Sequence, residues 1–220
     1  MGIFKKKDNI HKAMKTILEQ YAEIHVIDIG ANRGDFVRTV VSINSDCQIT
    51  AIEPIPSLAH NLSQKFKNYT NITIVNKAIV SGPSDCKFTW YPEREELSGF
   101  KELTTQAIID FGIHTAKSVS VETMPAADIN DPLKQSIFIK IDTQGNDLAI
   151  LKAMPQTLMN RVIGILCEVP VNGIYNDLPS WIDYLNWLNA EGFEPLCFQD
   201  VSRNQQRKLI EFDIVAVRAN

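Results

Sequence analysis

Carboxylates recur in this chain where apolar runs stop. Asp28 closes HVIDIG, Glu53 closes ITAIEP, Asp142 closes IFIKID and Glu168 closes ILCEVP. Each reads as an acid at the carboxyl end of a buried strand. In an open α/β sheet that edge is where ligands bind, near the point at which strand order reverses. Four acids there suit a ligand carrying positive charge and oppose a diphosphate. After the first of them, two glycines, Gly30 and Gly34, bracket three residues in VIDIGANRGDF. The turn GANRG is not the G-x-G-x-x-G of a dinucleotide site, and it lacks the Lys-Ser/Thr of a P-loop.

S-adenosyl-L-methionine (SAM) meets those terms, since it carries a sulfonium, an amino group and no phosphate. Asp28 is expected to bind its ammonium, directly or through water, Gly30 to admit it close to the backbone, and Asn32 to position it. Glu53 lies 19 residues after Gly34, a spacing at which an acid meets ribose hydroxyls, with charge-assisted hydrogen bonds. The plainer readings are that Asp28 and Asn32 cap the turn and that Glu53 is a solvated strand end.

Methyl transfer to a hydroxyl needs a group to take its proton. Asp142 and Glu168 are the leading candidates, against a plain role bonding loop backbone. Asp142 has a further option, contact with the methionine end of SAM. Oxygen ligands suit magnesium, so these acids admit a divalent metal, although no fixed spacing demands one. Lys140 shares a strand face with Asp142 inside an apolar run. Either it pairs with a carboxylate such as Asp142 or Glu168, the favoured reading, or it acts as a base with a depressed pKa. Of His11, His25, His60 and His114, only His114 is kept as a candidate acid or base. Trp90, Tyr91 and Tyr175 are candidates for a sugar-stacking wall, although aromatics near strand ends are more often core.

Positioning these groups requires alternating strands and helices. Helical patterns fall at about 10–21, 35–42, 57–66, 147–154 and 179–190. Strand patterns fall at 24–29, 48–53, 72–80, 136–142, 162–169, 193–198 and 211–218. The alternation breaks between about 84 and 122, where CKFTWY and KSVSVETM read as short strands around a polar, then weakly helical stretch at 92–115. That insertion is expected to line or cover the acceptor site. The last two strands are joined by a short polar loop, QDVSRNQQRK, too short for a helical crossover, so they pair antiparallel. The expected architecture is one domain over 1–220: a mostly parallel seven-stranded sheet ending in an antiparallel hairpin, with helices on both faces. That is the order of a class I methyltransferase.

The 220 residues suit one such domain. A net charge of −4 without a long basic run is no footprint for nucleic acid; Lys5, Lys6 and Lys7 read as a solvated terminus. Cys47, Cys86, Cys167 and Cys197 form no C-x-x-C pair, so a reduced, cytoplasmic protein is expected. Cys47, Cys167 and Cys197 read as buried small hydrophobes. Neither a membrane span nor a signal-peptide core is expected. Gly2 is followed by Lys6 where a myristoylation signal has Ser or Thr.

Four stretches in order, VIDIGANRGDF, AIEPIPSLAHNL, IKIDTQGNDLAILKAM and CEVPVNGIYND, resemble the FkbM-type methyltransferases, over about 24–219. The block Lys140, Asp142, Gln144, Gly145 is the most specific piece. The resemblance implies a class I fold, SAM as cofactor, and O-methylation of hydroxyls on sugars, glycans or natural products. The chain departs from the family at Asp147, where Glu is usual, and the 92–115 stretch matches poorly. Two rivals remain: an NAD-dependent enzyme with Glu53 on the adenosine ribose, and a SAM-binding module without catalysis, in which Asp142 and Glu168 are dispensable.

Overall fold

The computed structural model describes residues 8–21, 23–82, 87–131, 135–203 and 207–219. Lys5 to Lys7, Gly2 and Cys86 lie outside them. Helix α1 (Asp8–Gln20) leads into β1 (Ile24–Ile29), α2 (Asp35–Ile43), β2 (Gln48–Ile52), α3 (Pro56–Lys65) and β3 (Ile72–Val75). Four short strands follow, β4 (Ala78–Val80), β5 (Phe88–Trp90), β6 (Lys117–Val119) and β7 (Thr123–Pro125), with α4 (Thr105–Asp110) between β5 and β6. The chain then runs β8 (Ser136–Ile141), α5 (Asp147–Ala153), α6 (Gln156–Met159), β9 (Val162–Pro170), α7 (Trp181–Ala190), β10 (Phe193–Arg203) and β11 (Leu209–Arg218).

The main sheet has seven strands in the order β10-β11-β9-β8-β1-β2-β3. β1, β2, β3, β8 and β9 run parallel, and β11 is antiparallel to both β9 and β10. β1 is buried at all six positions because both faces of the sheet are covered, as a parallel sheet requires. Ile27 and Ile29 enter one apolar cluster and Ile24 and Val26 the other. From β1 the order advances to β2 on one side and resumes at β8 on the other. The reversal therefore falls between β1 and β8, where a ligand crevice opens at the carboxyl ends.

Two expectations need correction. The strand expected at 72–80 is two strands: β3 joins the main sheet, while β4 pairs with β7 in a separate sheet. Asn76 sits at the break and donates its side-chain amide to the carbonyls of Glu53 and Pro54 at 2.8 and 3.0 Å. The polar loop expected at 199–208 is strand over its first half, 199–203. β10 continues to Arg203, with bulges that absorb the irregular pairing, and Ser202 bonds Glu211 across the hairpin at 2.6 Å. Among the described residues no helix is long and apolar enough to cross a membrane. Cys47 and Cys167 are buried, and Cys197 is only half-buried.

Candidate cofactor cleft

β1 delivers the first acid to the crevice, and the turn after it decides the chemistry. Gly30 has φ 81°, and a Cβ there would stand 1.9 Å from the Asp142 carbonyl oxygen. Only glycine lets the end of β1 approach the end of β8 so closely. The amides of the turn are spoken for. Gly30 and Ala31 donate to the Ile52 carbonyl at 2.9 and 3.0 Å, and Gly34 to the Ala31 carbonyl at 2.8 Å. Asn32 N–H donates to Glu53 Oε2 at 2.7 Å. A diphosphate cradle needs such amides aimed at the ligand, and this turn holds almost none in reserve.

Glu53 is a buried carboxylate, 3% exposed, and not a solvated strand end. Its Oε1 accepts the Ile55 N–H at 2.8 Å. Burial pushes its pKa up to about 7, against the two backbone amides, which favour the charged form.

Asp28 is fully buried and stands behind the cleft. Its partner is Lys140, whose Nζ lies 3.2 Å from Oδ1, 2.7 Å from the Gly30 carbonyl oxygen and 3.8 Å from Asp142. Neither Asp28 oxygen receives a well-directed hydrogen bond, so ionic attraction is what holds it. Burial raises the Asp28 pKa, and Lys140 works against that rise. For Lys140, burial is the largest influence and lowers the pKa, but Asp28 and Asp142 together outweigh it and hold the pKa above the ordinary lysine value. Lys140 is therefore a protonated cross-link between β1 and β8, not a base with a depressed pKa. Of the two partners expected for Lys140, Asp142 lies within ion-pair distance at 3.8 Å, while the nearer partner, Asp28 at 3.2 Å, was not foreseen.

Asp142 opens to the cleft with its side chain 36% exposed. Gln144 donates its side-chain amide to Oδ1. Asp147, at the departure from the family pattern, accepts from the Thr143 backbone at 2.6 Å and so braces the loop that carries Asp142. Its pKa is pushed up to about 7 by burial and then by Asp142.

Gly30, Asn32, Glu53, Ile55, Ala78 and Asp142 line a cleft with about 610 Å3 of empty space, part of it open solvent. Glu96, Thr143 and Gln144 also line it, as do Lys77, Phe88, Glu95 and Phe100. Sequence reading missed the last four. Lys77 and Ala78 follow the end of β3, which a strand-end argument could have flagged. Phe88 and Phe100 meet edge-to-face at 5.3 Å only because the insertion folds over the cleft. The insertion is also tied to the glycine turn by Arg33 and Glu95 at 3.0 Å.

Glu168 does not line this cleft. It faces a smaller cavity of about 280 Å3 with Asp147, Tyr175, Tyr184 and Glu211. Its pKa is raised by burial, and further by Asp142. The two expected bases thus face different cavities. Among the described residues no three or more His, Cys, Asp or Glu side chains are grouped to hold a metal ion. Tyr91 and Tyr175 belong to a buried cluster with Leu97, Leu103 and Ile174 and form no wall for a sugar. Trp90 is half-buried under Lys117. His114 is exposed in the insertion.

A second cleft adjoins the first and shares Ile79 and Phe100 with it. Its lining is mixed: Lys87, Thr89, Lys101, Glu102, Asn176 and Asp177 stand beside the apolar Ile79, Val80 and Phe100.

Residues 28–195 match the family described as the Methyltransferase FkbM domain. None of the curated proteins compared with the chain matches it. Similar solved structures include an rRNA methylase from Streptococcus thermophilus, with a TM-score of 0.53 and 8% identity, covering 97% of this chain and 98% of that one. A precorrin-6y C5,15-methyltransferase from Geobacter metallireducens GS-15 gives a TM-score of 0.50 and 14% identity over 100% and 94% of the two chains. A Streptococcus mutans protein solved with S-adenosylhomocysteine gives 0.51 and 10% over 97% and 99%. At these identities the likeness is one of fold: the class I methyltransferase fold.

Proposed function

Since the chain belongs to the FkbM methyltransferase domain family and is a SAM-dependent methyltransferase, we propose that it methylates a hydroxyl oxygen on a sugar, a glycan or a related natural product. The observation that carries the proposal is the Asp142 carboxylate, open to a cofactor cleft that adjoins a second cleft carrying hydroxyls, amides and charged side chains.

The donor set fits SAM. Each Glu53 oxygen already accepts one backbone N–H and keeps a further lone pair for a ribose hydroxyl. Asn32 stands beside it, and Ile55 and Ala78 give an apolar bed for a base. Asp142 lies across Gly30 from Glu53, at the end left for the methionine portion. SAM supplies an electrophilic methyl group on a sulfonium. The chain must hold an acceptor oxygen in line with it, and positioning supplies much of the rate. The second cleft offers hydroxyls, amides and lysines to a polyhydroxylated acceptor, and its shared wall at Ile79 and Phe100 brings that acceptor to the cofactor cleft. Asp142 offers negative charge to the methionine ammonium and is the candidate to accept the hydroxyl proton. Asp28 and Lys140 hold β1 and β8 in place behind it. The dinucleotide alternative lacks the free amides it needs.

The test has two parts. Calorimetry with S-adenosylhomocysteine and with NAD is expected to give binding of the first alone. Methyl transfer is then measured across a panel of hydroxyl, amine and carbon acceptors. Asp142→Asn is expected to lower turnover about 100-fold or more at saturating acceptor, and Glu168→Gln to change it little. Transfer confined to nitrogen or carbon acceptors, or unchanged turnover in Asp142→Asn, would sink the proposal.

A further inference from the structure

Asp142 is the strand-end acid open to the cofactor cleft, and it is held by Gln144, which also lines that cleft, and through Gln144 by Tyr175, which does not. Gln144 follows it in a left-handed conformation, φ 56°. Its side-chain amide donates to Asp142 Oδ1, and its Oε1 lies 2.5 Å from the Tyr175 hydroxyl. The chemistry fixes which way this amide points. Reversed, its oxygen would face a carboxylate and its NH2 would face a hydroxyl needed as donor. Tyr175 is 7% exposed, and its pKa is raised by burial and then by Asp142, so the hydroxyl keeps its proton. It has one proton and two carbonyl neighbours, Gln144 Oε1 and Leu97 O, the latter at 3.0 Å. Leu97 belongs to the insertion.

The ring of Tyr175 is itself fixed. Its backbone bridges Leu103. On either side of it Thr104 N–H donates to the Ile174 carbonyl at 2.8 Å and Asn176 N–H to the Glu102 carbonyl at 3.0 Å. Yet Tyr175 lines the small cavity around Glu168 and not the cofactor cleft. It can reach a bound cofactor only through Gln144 and Asp142.

We infer that Tyr175 is a positioning residue: through Gln144 it aims the Asp142 carboxylate at the amino-acid end of the bound cofactor, and through Leu97 it ties that aim to the insertion covering the cleft. The inference rests on the reading of the cleft as a SAM site. It explains why a glutamine sits in a left-handed position beside the open acid. The tyrosine's one proton is shared between Gln144 Oε1, the nearer acceptor at 2.5 Å, and Leu97 O at 3.0 Å, so the carboxylate's amide partner and the insertion meet at a single hydroxyl.

The test compares two probes by calorimetry. S-adenosylhomocysteine carries the amino acid; 5′-methylthioadenosine shares the adenosine and thioether but lacks it. Tyr175→Phe, which keeps the ring, is expected to weaken S-adenosylhomocysteine about five- to tenfold and to leave 5′-methylthioadenosine within about twofold. Gln144→Met, which breaks the relay without touching the tyrosine, is expected to give the same split. Asp142→Asn should weaken S-adenosylhomocysteine at least as much. Adding Tyr175→Phe to it should cost no more than about a further twofold, because both act on one contact. Equal losses for both probes in both relay variants, or no loss for S-adenosylhomocysteine, overturns the inference. Failure of the unmodified protein to bind S-adenosylhomocysteine overturns the underlying cofactor reading instead. Should Tyr175→Phe not fold, Gln144→Met added to Asp142→Asn decides: no more than about a further twofold loss supports the relay, and a full additional loss overturns it.

Discussion

A lysine ammonium 3.2 Å from a fully buried aspartate is a liability if either partner is lost. Removing one side of a buried pair leaves a charge without water or counter-ion, at a typical cost of about 3–5 kcal/mol. Lys140→Met is therefore expected to lower the urea midpoint sharply, and Asp28→Asn added to it should restore part of the loss. If the double variant is no more stable than the single, the pair is not what holds this strand junction. Glu53 raises a pH question. Its pKa near 7 exceeds the ordinary glutamate value of 4.5, so folding favours the protonated form. The stabilisation tied to that proton is complete below 4.5 and is lost as pH rises through 7. The gap corresponds to about 3 kcal/mol at 1.36 kcal/mol per pH unit. Glu53→Gln is expected to remove this part of the pH dependence between 4.5 and 7, read by denaturant titration at several pH values. The same variant should weaken S-adenosylhomocysteine about tenfold, because a neutral amide gives up charge-assisted bonds to ribose hydroxyls. Unchanged binding would mean that Glu53 serves only Asn32 and Ile55.

At the scale of elements, the site depends on helices that start in the right place. α7 carries a full capping box: Ser180 Oγ accepts from the Asp183 N–H at 3.3 Å, and the Asp183 carboxylate accepts the Ser180 N–H at 2.9 Å. α7 follows the loop that holds Tyr175, so its first turn sets where that loop ends. Ser180→Ala is expected to cost about 1 kcal/mol, seen as a lower midpoint with an unchanged denaturant slope. A shift in the slope would show that the cap also governs compactness. The insertion is a different kind of element. Its Tyr91, Leu97 and Leu103 share a small core with Ile174 and Tyr175, and backbone bonds between 102–104 and 174–176 anchor it where it covers the cleft. Its exposed Arg33–Glu95 contact contributes little to stability, as surface pairs do.

For the whole molecule, the two ends of the sheet have different duties. The carboxyl ends carry the cleft, while the amino ends carry a buried polar cluster. His25 Nε2 lies 2.9 Å from Thr50 Oγ1, and Nδ1 lies 3.1 Å from Asp131. Asp131 in turn meets Arg161 at 2.6 Å. Burial lowers the His25 pKa below 6.5, with Asp131 working against it. The unfolded chain then binds a proton that the folded one resists. This group's contribution is present above 6.5 and is lost as pH falls below it. His25→Gln is expected to flatten the fall of Tm between pH 7 and 5, at about 2–4 °C per kcal/mol for a chain of this size. An identical slope in the variant would mean that His25 does not titrate with folding.

The acids at the strand ends, the glycine turn and the alternation of apolar runs were legible in the residues alone, because strand ends and backbone conformation are local consequences of residue type and spacing. The seven-stranded sheet and its antiparallel hairpin followed from the same local rules. Which acid opens to the ligand was not legible. Asp28, Asp142 and Glu168 occupy equivalent strand ends, yet one is buried under Lys140, one faces the cleft and one faces another cavity. That choice depends on strand order, on a lysine 112 residues along from Asp28, and on an insertion whose aromatics pack only after the chain has closed. Contacts of such long sequence separation leave no period or motif to read, so only the folded chain decides them.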